Sequence, residues 1–102
     1  MDIPNTIRIG NNDYKVTVSR NNIISDGKQC YGRIDFDYHE ILIDNTLQDE
    51  QGLMQTFLHE VVHGIVHEFR IDFADDSDED IVDKIADGLQ QIIKDNLKKV
   101  LT

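Results

Sequence analysis

The chain has 102 residues, of which 39% are hydrophobic and 29% are charged. This composition is typical of one small globular domain and excludes a largely disordered chain. Asp and Glu number 20 against 10 Lys and Arg, which gives a formal net charge of −10. Because nucleic acids and anionic membranes bind clustered positive charge, we expect neither a nucleic-acid partner nor a membrane partner.

Cysteine content and the N-terminal residues bear on the compartment. Cys30 is the only cysteine, so no disulfide can form within the chain, and a reducing compartment is expected. The first ten residues have neither the basic nor the apolar part of a secretory signal. No apolar run reaches the length of a membrane span. These features predict a cytoplasmic protein, and the sequence carries no indication of its oligomeric state.

A hairpin is predicted at the start of the chain. Apolar and polar residues alternate over 7–9 and again over 14–18, as they do in strands with one buried face. The run Gly-Asn-Asn-Asp at 10–13 lies between them and is typical of a turn. Residues 19–32 contain further turn-forming residues around one short apolar pair, so this stretch is predicted to be mostly loop.

A second pair of strands is predicted over 33–38 and 41–43, with a tight connection near His39. Together with the first hairpin, it gives a small antiparallel sheet of about three to four strands in the N-terminal half. The segment 41–44 directly precedes the next predicted element, and two roles are open for it. It can be a free edge that binds an extended peptide, or it can be an interior strand.

Two helices are predicted to follow the sheet. Apolar residues recur three and four apart, which indicates an amphipathic helix that begins near 47–51 and ends near Phe69. After an acidic loop, Ser77 is a suitable N-cap for a second helix, which ends near the lysines at 98–99. The apolar stripe of this second helix comprises Ile81, Ile85, Leu89, Ile92 and Ile93, and it is widened by Val82, Ala86 and Leu97. The order of elements predicts a single α+β domain over 1–102, with two helices packed against one sheet.

The first predicted helix contains the motif His-Glu-x-x-His. His59 and His63 are one turn apart, about 6 Å along the axis, and therefore lie on the same face. Two neutral imidazoles placed in this way can bind one Zn²⁺ at roughly 2.0–2.1 Å each. Glu60 lies about 100° round the helix from His59, beside the expected metal, where a general base is needed. The alternative is that both histidines are solvated residues on a polar face.

A catalytic zinc site needs a third protein ligand and one open position. His67 continues the row of histidines, but it lies two turns, about 12 Å, from His59. It is therefore expected to be a surface residue or a neighbour of a second site. Cys30 or His39 can reach the metal only if the sheet folds over the helix.

Glu79 is the favoured third ligand. Glu79 and Asp83 are one turn apart at the head of the second helix and border its apolar stripe, as the motif histidines border the stripe of the first helix. If the two stripes pack together, Glu79 reaches the metal, and Asp83 can accept a hydrogen bond from a ligating histidine, which fixes its tautomer. The alternative is that both are solvated acids in a strongly acidic segment.

His-Glu-x-x-His on one helix and Glu-x-x-x-Asp at the head of the next resemble the arrangement of the gluzincin peptidases. More narrowly, TFLHEVVHGIVHEF followed by DEDIVDKIADGLQQIIKDN is similar to small phage and mobile-element metallopeptidase-like proteins near the ImmA/IrrE family. The resemblance covers about 50–102. It implies a minimal zincin fold, with His59, His63 and Glu79 as ligands of one Zn²⁺ per chain and Glu60 as the catalytic acid and base.

The function implied by the resemblance is that of a zinc-dependent metallopeptidase, a hydrolase with a cytosolic protein or peptide substrate. A repressor of a phage or mobile element is one such substrate. Many gluzincins stabilise the oxyanion with a Tyr or His, for which Tyr31, Tyr38 and His39 are the candidates here. Two alternatives stay open: a catalytically silent, zinc-stabilised binding module of phage origin, and a metal-free interaction domain.

Overall fold

The computed structural model describes residues 3–20, 23–25, 27–73 and 78–94. In chain order its elements are β1 (Thr6–Ile9), β2 (Asn12–Ser19), β3 (Ile23–Ser25), β4 (Lys28–Cys30), β5 (Gly32–Asp35), β6 (Glu40–Asp44), α1 (Glu50–Glu68) and α2 (Asp78–Ile92). A four-stranded sheet and two helices form an α+β fold, which confirms the predicted class. Neither helix, over the residues described, is long and apolar enough to cross a membrane.

The four-stranded sheet is mixed, with strand order β1-β2-β6-β5. The hairpins β1–β2 and β5–β6 are antiparallel as predicted. The central pair, β2 and β6, is parallel, with Val16 opposite Ile41, so the prediction of an antiparallel sheet is wrong there. The reason is topological: β2 and β6 are not consecutive strands, and the long connection between them, which contains β3, β4 and β5, permits a parallel pairing that a tight hairpin turn does not.

The position of β6 decides between the two roles left open for it. Strand β6 is hydrogen-bonded to β2 on one side and to β5 on the other, so it is an interior strand. The free-edge interpretation of 41–44 is therefore wrong. Strand β5 lies at the edge of the sheet and pairs only with β6 among the described strands.

Residues 19–32 are not mostly loop, in contrast to the prediction. Strands β3 and β4 form a small antiparallel hairpin of their own, in which Ile23 pairs with Cys30. Ile23 is buried, and Gly27 has a φ of 74° at the turn, a conformation that glycine adopts without steric cost. Strands of three residues are too short to show a clear alternating pattern in the sequence.

Helix α1 begins and ends close to its predicted bounds. The Asp49 side chain is the N-cap and accepts a hydrogen bond from the Gly52 backbone N–H at 2.8 Å. Helix α2 begins at Asp78, and the predicted cap at Ser77 and the predicted end near 98–99 lie outside the described residues.

Helix α1 packs on the sheet through one face and on α2 through another. The buried cluster comprises Ile9, Tyr14, Val16, Ile41, Ile43, Phe57, Leu58, Val61, Val62, Val82 and Ala86. On α2 the buried residues are Val82 and Ala86, whereas Ile85 and Ile92 from the predicted stripe are exposed. The face of α2 that meets α1 is therefore centred on Val82 and Ala86. Glu79 and Asp83 border this face and lie against α1, where the candidate site is found.

Candidate metal centre

The motif histidines lie on the face of α1 that meets α2. The rings of His59 and His63 have centroids 4.8 Å apart and cross at 71°, so that their Nε2 atoms approach to 3.1 Å. Both side chains are about one-fifth exposed. The helical spacing of the motif and the packing of α1 therefore direct both rings towards one point.

Helix α2 brings a carboxylate to the same point. Glu79 Oε1 lies 2.8 Å from His63 Nε2, and Glu79 Oε2 lies 3.2 Å from His59 Nε2. Ligands at about 2.0–2.1 Å from a tetrahedral metal are about 3.3 Å from one another. One ligand atom from each of the three residues lies within 4.8 Å of the other two, so this group can hold a metal ion.

The hydrogen bonding of His59 supports a cation at this point. Its Nδ1 atom lies 2.8 Å from Asp83 Oδ1, and because a carboxylate only accepts, Nδ1 carries the proton. In the neutral ring, Nε2 then presents a lone pair towards Glu79, whose oxygens present lone pairs as well. The His59 lone pair and the Glu79 carboxylate can therefore bind a cation between them, together with His63 Nε2. Asp83 thus has the geometry predicted for it.

Glu60 lies beside this group and is buried, with a relative exposure of 7%. Burial raises the pKa of its carboxyl to about 7; His59 opposes the rise and the Glu79 carboxylate adds to it. A carboxyl group with a pKa near neutrality can both accept and return a proton at that pH.

Two cavities adjoin the group, and Glu60 lines both of them. The first, of about 310 Å³, is lined by Tyr31, Gly32, Gln55, Thr56, His59, Glu60 and Asp83. The second, of about 340 Å³, is lined by Cys30, Gly32, Arg33, Ile34, Phe36, His59, Glu60, His63 and Glu79. Gly32, His59 and Glu60 line both, so the two cavities are neighbours at the motif, and we call them together the cleft between β5 and the helices.

The three candidates for oxyanion stabilisation lie at different distances from this cleft. Tyr31 is exposed and lines the first cavity. Tyr38 is 84% exposed and lines neither cavity. His39 lies elsewhere, with its ring edge-on to Tyr14 at 5.2 Å. The structure brings one of the three, Tyr31, to the candidate site.

The other residues considered as ligands stand apart from the group. His67 is exposed and stacks on Phe36, with ring centroids 4.0 Å apart, which agrees with its expected place on the surface. Cys30 borders the second cavity, but the described ligand group consists of His59, His63 and Glu79.

Sequence reasoning missed the contribution of β5 to the cleft. Gly32 lines both cavities, and Ile34 and Phe36 line the second. A glycine in an otherwise alternating strand is a signal of close backbone approach, and it was available in the sequence. Comparison of the chain with protein-family models, curated proteins and solved structures finds no match. The case for a function therefore depends on the geometry of these side chains.

Proposed function

We propose that this chain is a zinc-dependent metallopeptidase that hydrolyses peptide bonds in a protein substrate. The convergence of His59 Nε2, His63 Nε2 and the Glu79 carboxylate, with buried Glu60 beside them, carries the proposal. Two imidazoles and one carboxylate form a donor set that catalytic zinc uses, with a fourth position left for water or substrate. Magnesium and calcium prefer oxygen ligands throughout, so this donor set disfavours them.

Each residue of the group has a definite part in hydrolysis. Zinc, when bound, supplies a Lewis acid that polarises a carbonyl and lowers the pKa of water. Glu60 accepts a proton from the attacking water as the oxygen bonds to the carbonyl carbon, and returns a proton to the amine as the C–N bond breaks. Asp83 holds His59 in the tautomer whose Nε2 faces the metal. Tyr31 is the group best placed to stabilise the oxyanion.

The edge of β5 supports a peptide as the substrate. The Tyr31 carbonyl accepts a hydrogen bond from the Asp44 N–H at 2.8 Å, so Tyr31 directs its main-chain groups towards β6. Because this direction alternates along an antiparallel strand, Gly32 and Ile34 direct theirs towards the unpaired side. Both residues border the cleft, so an extended peptide that pairs with this edge would pass beside Glu60.

The substrate that we propose is a cytosolic protein, with a repressor encoded by the same phage or mobile element as the first candidate. This choice is what the resemblance of the motifs in 50–102 to small phage metallopeptidase-like proteins implies. The negative charge of the chain, −10, would speed its association with a basic substrate at low ionic strength.

The proposal is tested with the wild-type protein, Glu60→Gln and the control Glu50→Gln. Glu50 is an exposed acid in the first turn of the same helix. We expect all three proteins to bind one Zn²⁺, because neither substitution changes a ligand, as measured by elemental analysis. Two kinds of substrate are offered to each protein: repressor-like proteins and a whole-proteome extract. The rate of cleavage should fall by about 10²–10⁴-fold in Glu60→Gln only.

The outcomes separate this proposal from its alternatives. Stoichiometric zinc in a wild-type protein that cleaves nothing would favour the zinc-stabilised binding module. Purified protein that takes up no zinc would favour the metal-free interaction domain. Equal cleavage by wild type and Glu60→Gln would remove Glu60 from the reaction.

A further inference from the structure

Gly32 lies where the free edge of the sheet meets α1. A Cβ atom at this position would lie 2.5 Å from Thr56 Cγ2 and 3.1 Å from the Leu42 carbonyl oxygen. The first distance is far inside van der Waals contact, so a side chain cannot be added without movement. Among the described residues, Gly10 and Gly27 are the glycines with a positive φ. Gly32 is therefore required by close approach and not by its backbone angles.

The space that Gly32 leaves open faces the candidate site. The same Cβ would lie 3.5 Å from Glu60 Oε2, and Gly32 borders both cavities of the cleft. Gly64 provides a contrast, because a Cβ there would lie 2.7 Å from Ile9 Cδ1 and 3.3 Å from Ile34 Cδ1, two apolar side-chain ends. Gly64 permits packing between helix and sheet, whereas Gly32 keeps the junction of the two cavities open.

We propose that Gly32 is a positioning residue whose missing side chain keeps room beside Glu60 for a peptide that is bound along the edge of β5. The inference rests on the proposed function, because it assigns the cleft to a peptide. A methyl group at position 32 would move β5 away from Thr56 or displace the Glu60 carboxylate, and it would narrow the passage between the cavities. The metal ligands are not among the atoms nearest to that methyl group.

A set of substitutions separates positioning from packing. Gly32→Ala introduces the clash, and Thr56→Ser removes the methyl group that causes it. Serine keeps the hydroxyl that donates to Gln48 Oε1 at 2.7 Å. The double variant Gly32→Ala/Thr56→Ser should therefore regain the thermal stability that Gly32→Ala loses. Gly88→Ala is the matched control, because a Cβ there would meet no atom within 4 Å.

Two probes are measured on each zinc-loaded protein by calorimetry. Acetohydroxamate binds the metal alone, and acetyl-tri-alanine hydroxamate binds the metal and extends along the edge of β5. We expect acetohydroxamate to bind all variants within about twofold, since the ligands are intact. The extra affinity of the peptide hydroxamate should fall by about tenfold from wild type to Gly32→Ala and from Thr56→Ser to the double variant, and should be retained in Gly88→Ala.

Each other outcome has a definite meaning. If the double variant regains the extra affinity together with its stability, Gly32 serves packing only and the inference is overturned. A wild-type protein that binds both hydroxamates equally also overturns it. If the wild-type protein binds neither hydroxamate, the proposed metal site is contradicted and this inference is overturned with it. If the wild-type protein prefers the peptide hydroxamate but cleaves no protein, the proposed peptidase activity is contradicted and the binding of a peptide is not. Loss of that preference in the double variant would then still support the role proposed for Gly32.

Discussion

The two polar clusters that α1 touches differ in how their hydrogen-bonding groups are matched. At its C-terminal end, Glu68 accepts hydrogen bonds from Asn12 Nδ2 at 2.8 Å and from the Tyr14 hydroxyl at 2.6 Å, so each carboxylate oxygen has a donor. At the candidate metal centre, the Glu79 carboxylate faces the Nε2 atoms of both histidines, and His59 Nδ1 donates to Asp83.

This difference is visible in the two carboxyl groups of the same helix. Hydrogen bonds from Tyr14 and Asn12 lower the pKa of Glu68, whereas burial raises the pKa of Glu60 to about 7. A cluster whose donors and acceptors match stabilises the fold on its own. The candidate metal centre instead brings the Glu79 carboxylate against two imidazole nitrogens, and we interpret it as a site that a metal ion completes.

The largest expected effect is the loss of zinc affinity when the carboxylate of the candidate metal centre is removed. Glu79→Ala removes one of three ligands and should weaken zinc binding by more than the roughly 10–100-fold that follows loss of an outer hydrogen-bond partner. Competition with a chromophoric chelator measures the affinity. Glu50→Ala, an exposed acid on α1, is the control. Undiminished zinc affinity in Glu79→Ala would show that the third ligand lies elsewhere.

A smaller loss of zinc affinity is expected when the hydrogen bond between His59 and Asp83 is weakened. Asp83→Asn weakens the bond that fixes the His59 tautomer and should lower zinc affinity about 10–100-fold. Asp87→Asn, an exposed residue one turn further along α2, should bind zinc as the wild type does. Equal affinity in the two variants would mean that Asp83 is a solvated acid.

A substitution in the Glu68 cluster should lower the stability of the fold and leave the zinc affinity unchanged. Tyr14→Phe removes a donor to Glu68 from a fully buried side chain, and we expect the free energy of unfolding to fall by about 1–2 kcal/mol. Urea denaturation of the metal-free protein measures this loss. A fall in zinc affinity of the same variant would contradict the separation of the two clusters.

The smallest expected effect is in the pH dependence of stability. Because the fold lowers the pKa of Glu68 below its ordinary 4.5, ionised Glu68 stabilises the protein above that pH, and the contribution is lost as the pH falls through the lowered value. Metal-free Glu68→Gln should therefore lose less stability than wild type between neutral pH and the acid range. Thermal unfolding across that range tests it; parallel curves would mean that Glu68 does not contribute in this way.

Local rules account for much of the fold and for the ligand group. Helical spacing places His59 beside His63, and the same spacing places Glu79 one turn from Asp83. Each of these relations spans four residues, so the sequence alone is sufficient to predict it. Alternation of apolar and polar residues likewise predicted the hairpins β1–β2 and β5–β6.

The remainder depends on contacts between residues distant in the sequence. The parallel pairing of β2 with β6 depends on which strand takes the interior position, and no pattern within either strand determines this. The donors to Glu68 come from residues 54 and 56 positions away. The contact of Gly32 with Thr56 likewise requires the docking of β5 on α1. Such contacts follow from packing of the whole domain.

The sequence separation within each cluster has a consequence for the order of folding. His59 and Asp83 are 24 residues apart, whereas Glu68 and Asn12 are 56 residues apart. Each doubling of a loop adds about 0.6 kcal/mol to its closure entropy, so the two helices meet more readily than the ends of the domain do. An ion that binds as α2 docks would then favour helix pairing before the sheet is complete, and the refolding rate would depend on metal concentration.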